Sequence, residues 1–252
     1  MTLTIDFAFD GRGVSDVVGY VLIFSLITAT VGVVTVVGFG TLDDRQTDER
    51  INNVERAFDV FGNNMENVYR DGAPSRATEM RLAGGTLEHG DPVTITIEAD
   101  NGENVTAVSR PLIYADGNSE IVYLGGAILR TDGGSSVMLK DPPFRTDSPT
   151  ASFPLIETFR TSGPQAVSTD GTVRVTSTAR RVNTTVPSSF SDPATSGYNI
   201  TVETSRADAW ERYFESQSEM TVLERDSDQV TAEIESDEVL APRFPVRLRF
   251  SG

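Results

Sequence analysis

His89 is the only histidine in the 252 residues, and the chain has no cysteine. A Ser–His–Asp triad or an imidazole metal site must therefore use His89. Thiol catalysis, disulfide scaffolds, Cys-based zinc sites and iron–sulfur clusters are excluded within this chain. His89 lies in Glu88-His89-Gly90-Asp91-Pro92, which predicts a turn and an exposed loop residue, not a base or a ligand. Carboxylates cluster at Asp226/Asp228 and at Glu233/Glu235/Asp237/Glu238. Neither cluster matches the D-x-[DN]-x-[DN]-G calcium loop, and no motif selects a pair for glycosidase chemistry, so both read as solvated acidic surface. The glycine pairs Gly84-Gly85, Gly125-Gly126 and Gly133-Gly134 lack the helix that a phosphate-binding loop needs after it. The expectation is no catalytic, metal-binding or cofactor-binding residue.

One modification chemistry is encoded. Asn104-Val105-Thr106, Asn183-Thr184-Thr185 and Asn199-Ile200-Thr201 are N-glycosylation sequons. Asn104 and Asn183, near predicted turns, are better candidates than Asn199 within a predicted strand.

Charge narrows the partners. There are 37 acidic against 21 basic residues, a formal charge of -16, which argues against nucleic acid, whose phosphates require a basic footprint. Lys140 is the only lysine; the other twenty bases are arginines. Strong acidity with almost no lysine is the surface bias expected in concentrated salt, where self-repulsion is screened within ~3 Å at 1 M.

Residues 17–40 run for 24 positions without a charge, sixteen of them hydrophobic. As a helix the run spans ~36 Å, enough for a ~30 Å hydrocarbon core. It is longer than the ~7–15-residue apolar core of a secretory signal, and no A-x-A cleavage site follows. The flanks, with Arg12 against Asp6 and Asp10, leave orientation open on charge alone. Gly11 and Gly13 disfavour helix before the run, while Ser15 or Asp16 can cap the helix that follows.

The order Arg12-Gly13-Val14-Ser15-Asp16-Val17-Val18-Gly19, followed at once by the apolar run, resembles the N-terminus of archaeal type IV pilins and their haloarchaeal pilin-like relatives. Ser15-Asp16 stands where many of those relatives have Ser-Pro, and Val18 where bacterial pilins carry a glutamate. The resemblance implies a leader at 1–13, a cut by a prepilin peptidase between Gly13 and Val14, and a mature chain that keeps its apolar helix. It also implies a cytoplasmic N-terminus, a head outside the cell, and partnership with lipid and with other pilin-like subunits through the stem.

Beyond the run, Ile51, Val54, Phe58, Phe61, Met65 and Val68 recur at spacings of 3, 4, 3, 4 and 3, the stripe of one helical seam. The helix is predicted over 14–70, on the order of 80 Å long, with Gly38 and Gly40 loosening it and Asp71-Gly72-Ala73-Pro74 ending it. The stripe predicts packing on the chain's own head, with contact between subunits as the alternative. From residue 75 the period becomes 2. Strands are predicted at 92–98, 112–114, 121–124, 126–130, 136–140, 172–179, 198–204, 229–235 and 246–250. A helix is predicted from Ser205 as N-cap to Phe214, with Trp210, Tyr213 and Phe214 on the face toward the sheet. Residues 187–193 read as a loop. The fold class is α+β: a transmembrane and stem helix at 14–70, then an antiparallel, sandwich-like β-rich head at 75–252. The functional expectation is a non-enzymatic surface subunit, assembled into or onto a filament. The alternatives are an anchored binding protein that does not assemble and, last, an anchored hydrolase.

Overall fold

The computed structural model describes residues 12–146, 149–180, 189, 190 and 197–252, and their side chains except at 12–16, 36–48, 189 and 190. The chain divides into two compact units between Glu49 and Arg50. The helix α1 (Arg12–Tyr69) includes Gly38 and Gly40 and contributes residues to both units. Sequence periodicity places its end correctly: Gly72 adopts φ +74°, and the Ala73 N–H then turns back to the Asn67 carbonyl at 2.9 Å. Its start differs from expectation. Helical backbone begins at Arg12, so Gly13 is inside the helix and neither Ser15 nor Asp16 is its cap.

The second unit is β-rich and predominantly antiparallel. A six-stranded sheet has the order β11 (Ala166–Ser168), β2 (Thr86–His89), β5 (Leu112–Asp116), β6 (Ser119–Leu124), β7 (Ala127–Asp132) and β8 (Ser135–Lys140). A four-stranded sheet runs β1 (Ser75–Arg81), β12 (Thr172–Ala179), β18 (Arg243–Ser251) and β10 (Leu155–Arg160), with β10 parallel to β18. The five-stranded sheet is β15 (Met220–Arg225), β16 (Gln229–Ile234), β14 (Tyr198–Glu203), β3 (Val93–Ala99) and β4 (Asn104–Ser109). A small three-stranded group joins β13 (Ser189–Phe190), β17 (Glu238–Leu240) and β9 (Thr150–Ser152). Thus Ser189 and Phe190, expected in a loop, form a short strand on β17; the rest of that expected loop, apart from these two positions, lies outside the described residues.

The six-stranded sheet is covered on both faces, and alternation shows how. In β5, Leu112 and Tyr114 join one core cluster while Ile113 joins another. In β6, Ile121 and Tyr123 go to the first cluster, Val122 and Leu124 to the second; β7 repeats this with Ile128 against Ala127 and Leu129. Such runs of consecutive buried apolar residues mark strands buried on both sides. The first cluster also holds all six stripe residues of α1, together with Met80, Val173, Val175, Val246, Leu248 and Phe250 from the four-stranded sheet. The stripe is therefore core of the chain's own head. Its residues are at most 3% exposed.

The second cluster is built on the five-stranded sheet and on α2 (Ala207–Glu215). As the spacing predicts, Trp210, Tyr213 and Phe214 are buried there. The N-cap is Arg206 and not Ser205, and no side chain caps the helix. Asp208 in the first turn instead accepts the Ser136 N–H at 3.0 Å, and Arg206 reaches Glu120 on β6. Tertiary bonds to the six-stranded sheet thus set where this short helix begins.

Candidate functional site

The apolar stretch Val17–Thr35 is long and apolar enough to cross a membrane, and none of it is buried against protein. Val17, Tyr20, Leu26 and Val34 are all more than 60% exposed. Among the described residues of the second unit the exposed large apolar side chains are Val60, Val108, Val137, Leu139 and Leu223, a scatter that needs no special explanation. At the expected leader cleavage site, Arg12, Gly13 and Val14 have helical backbone, whereas such a cut requires an extended bond.

The sequons separate by environment. Asn104 is exposed at the first residue of β4, beside the 100–103 turn. Asn199 is half-buried on β14, flanked by β3 and β16 in the five-stranded sheet. Asn183 lies outside the described residues. Where the glycosylation machinery acts, glycopeptide mass spectrometry is expected to find Asn104 occupied and Asn199 bare. The reverse pattern would overturn this assignment.

His89 is not the exposed loop residue that its neighbours suggest. It is the last residue of β2, 2% exposed, on the same inward face as Leu87. Its ring stacks on Phe250 at 4.4 Å and 9°, and neither Nδ1 nor Nε2 has a partner among the described residues. The strand ends at His89, and Gly90, whose N–H continues the pairing by donating to the Pro111 carbonyl at 2.9 Å, opens an irregular link to β3 rather than the expected turn. Burial, then Arg160 and Arg110, lower its pKa to about 4, so the imidazole is neutral at pH 7. It touches no carboxylate or nucleophile that would make it a base. Among the described residues no group of three or more His, Asp or Glu is placed to hold a metal ion.

The most developed concavity is one that sequence motifs do not mark. A cleft of about 690 Å³ opens in the second unit between the last turns of α1, the ends of β6 and β8, and the loop after β8. α1 supplies Gly62, Glu66 and Tyr69, and Arg70 follows, its guanidinium 2.5 Å from Glu66. Lys140 enters through a β-bulge. Ile128 pairs with Lys140 but Leu129 with Met138, so Leu139 is the extra residue. Regular alternation would put Met138 and Lys140 on one face; the bulge turns Lys140 toward α1 and leaves Met138 on the other cluster. There its Nζ donates to Asn63 Oδ1 at 2.8 Å. A Cβ on Gly62 would stand 3.2 Å from Ile128 Cδ1, a tight approach, but only at ordinary contact distance, 3.6 Å, from that Nζ.

The β6–β7 turn forms the next part of the wall. Gly125 and Gly126 have φ of +60° and +98°, the left-handed pair that a two-residue hairpin favours. Gly126 also admits Pro143, whose Cδ would lie 2.4 Å from an added Cβ. Phe144 follows, its ring 5.0 Å from Phe153, and Phe244 stands 5.6 Å from Tyr69. Tyr123 on β6 is 1% exposed and meets Phe61 edge-on at 5.0 Å. Its Oη is buried with no hydrogen-bond partner among the described residues, a condition costing about 1–3 kcal/mol. Burial raises its pKa well above 10, with Tyr69 and Glu66 adding to the effect; burial raises Tyr69 to about 12. Both phenols are neutral donors at any physiological pH.

No curated protein and no solved structure matches the chain significantly. Residues 12–249, which include the apolar helix and nearly all of the head, match the family described as Family of unknown function (DUF7289). The helix and the β-rich unit are thus parts of one family pattern, and the chain belongs to that family.

Proposed function

We propose that the protein is a non-enzymatic, pilin-like cell-surface subunit held in the membrane by α1, with a cytoplasmic N-terminus and an external head. The observation that carries this reading is the change of face along α1. Its residues 17–35 are apolar and exposed all round, whereas from Ile51 only one stripe is apolar and that stripe is core. Val17–Thr35 contains eleven Val, Leu, Ile or Phe residues, each contributing about -0.3 to -0.6 kcal/mol to insertion near a helix centre. Because the stripe is already buried in the head, assembly falls to the apolar segment alone, which would exchange lipid for neighbouring helices. The acidic, lysine-poor composition suits a head bathed in concentrated salt, and the exposed Asn104 suits glycosylation. The two core clusters on opposite faces of the six-stranded sheet suit a sandwich-like head.

Intact-mass measurement of the native protein tests the reading. The mature chain is expected to begin at Val14, and Gly13→Leu to leave the leader attached. Retention of Met1 in the wild type, or loss of residues 17–35, sinks it. One observation favours the second reading, an anchored binding protein that does not assemble: the head has a cleft lined by Tyr123, whose buried hydroxyl has no partner among the described residues. Absence of the protein from filaments sheared off cells, with Val14 still N-terminal, would select that reading.

A further inference from the structure

The geometry points to a ligand site for a small sugar acid, a pyranose ring carrying a carboxylate, in the cleft between the end of α1 and the ends of β6 and β8. This inference is independent of leader cleavage and of filament assembly, since every residue it uses lies in the second unit.

Four features of the lining each demand something of the occupant. In a chain of charge -16, three cations line one cleft: Arg70, already paired with Glu66, together with Arg145 and Lys140, the last being the chain's only lysine. Lys140 uses one donor on Asn63, leaving two, and no described residue pairs with the Arg145 guanidinium. An anionic group is therefore required, and Arg and Lys suit a carboxylate. Asp141 and the Glu66 carboxylate oxygen that Arg70 does not occupy can only accept hydrogen bonds; the ligand must also bring hydroxyl donors. Phe144, Phe244 and Pro143 present apolar surface, which calls for a face of C–H bonds. Lastly, Tyr123 lines the cleft, and its buried hydroxyl has no partner among the described residues.

A sugar acid meets all four demands. A neutral sugar leaves the cations without an anion, an aromatic acid brings no hydroxyls for Glu66 and Asp141, and free phosphate has no apolar face. The cleft's volume of about 690 Å³ falls within the range usual for small-molecule sites, roughly 300–1,000 Å³.

The test is calorimetric titration of the full-length protein in detergent with glucuronate, glucose, benzoate and inorganic phosphate in turn. Saturable one-to-one binding of glucuronate is expected, at least about tenfold tighter than any of the other three. Lys140→Gln and Arg145→Gln are each expected to weaken it about tenfold, the loss of one charge-assisted hydrogen bond. Tyr123→Phe is the discriminating variant. It removes the unpaired hydroxyl, so the thermal midpoint should hold or rise while glucuronate binding weakens about fivefold or more. A hydroxyl of purely structural consequence would change the midpoint and leave binding untouched, and that outcome overturns the inference. So does failure to bind glucuronate, or equal binding of glucose.

Discussion

Acidification from pH 6.5 to 4 is expected to remove about 3 kcal/mol of folding stability through His89 alone. The sign follows from the ring's surroundings. His89 is enclosed on β2, stacked on Phe250, and faces the cations Arg110 and Arg160, so the folded state disfavours the imidazolium. The folded pKa, about 4, lies below the ordinary 6.5. Between these values the unfolded chain binds the proton and the folded chain does not. The contribution is therefore fully present above pH 6.5, declines as pH falls, and is exhausted below about 4. Paired carboxylates lose stability over part of the same range, so the difference between wild type and His89→Phe isolates the imidazole. Phenylalanine keeps an aromatic ring against Phe250 and removes two buried nitrogens that have no partner among the described residues. Urea midpoints at pH 7 should be similar or higher in the variant, and the gap should widen in its favour by about 3 kcal/mol at pH 4. Parallel decline of both proteins would refute a buried neutral His89.

A chain beginning at Arg50 is expected to fold, and one beginning at Ser75 is not. The switch from helical to strand periodicity near residue 75 suggests a boundary there, but the compact unit starts at Arg50. The reason is the stripe. Burying a large aliphatic or aromatic side chain contributes ~1.5–3 kcal/mol, and Ile51, Val54, Phe58, Phe61, Met65 and Val68 are all buried against the six- and four-stranded sheets. Their sum, on the order of 10 kcal/mol, equals the whole net stability of an ordinary domain. Phe61→Ala alone should cost about 3–5 kcal/mol, since it also loses the edge contact with Tyr123. Val60→Ala, at an exposed position one residue away, should stay within about 0.5 kcal/mol. Circular dichroism melts of the four chains decide the matter. Cooperative unfolding of the Ser75 chain at the Arg50 chain's midpoint would show that the helix is dispensable to the head.

Much of the architecture was legible because its signals are local. The 3-4-3-4-3 spacing of six apolar residues located the inner half of α1, and the Gly72 stop located its end. Alternation located β3, β12 and β14 within a residue. Other strands carry too little contrast to be seen. β1, Ser-Arg-Ala-Thr-Glu-Met-Arg, has a single large apolar residue, Met80, and becomes a strand by pairing with β12, with Ser75 opposite Thr178. β10 is parallel to β18, with Leu155 opposite Arg243, a register that no short window contains.

The functional features divide along the same line. Composition and order by themselves determined an apolar segment able to span a bilayer, an acidic surface, a helix before strands, and the absence of cysteine chemistry. These are properties of single residues or of neighbours within a few turns, and neither register nor topology alters them. Tertiary structure alone decided that His89 is buried, that the α1 stripe belongs to the chain's own core, and that Lys140 faces α1 through a bulge at Leu139. It alone assembled a cleft from residues spread between Gly62 and Phe244. Burial and convergence depend on which strand lies beside which, and that pairing follows from the packing of the whole chain rather than from any segment of it.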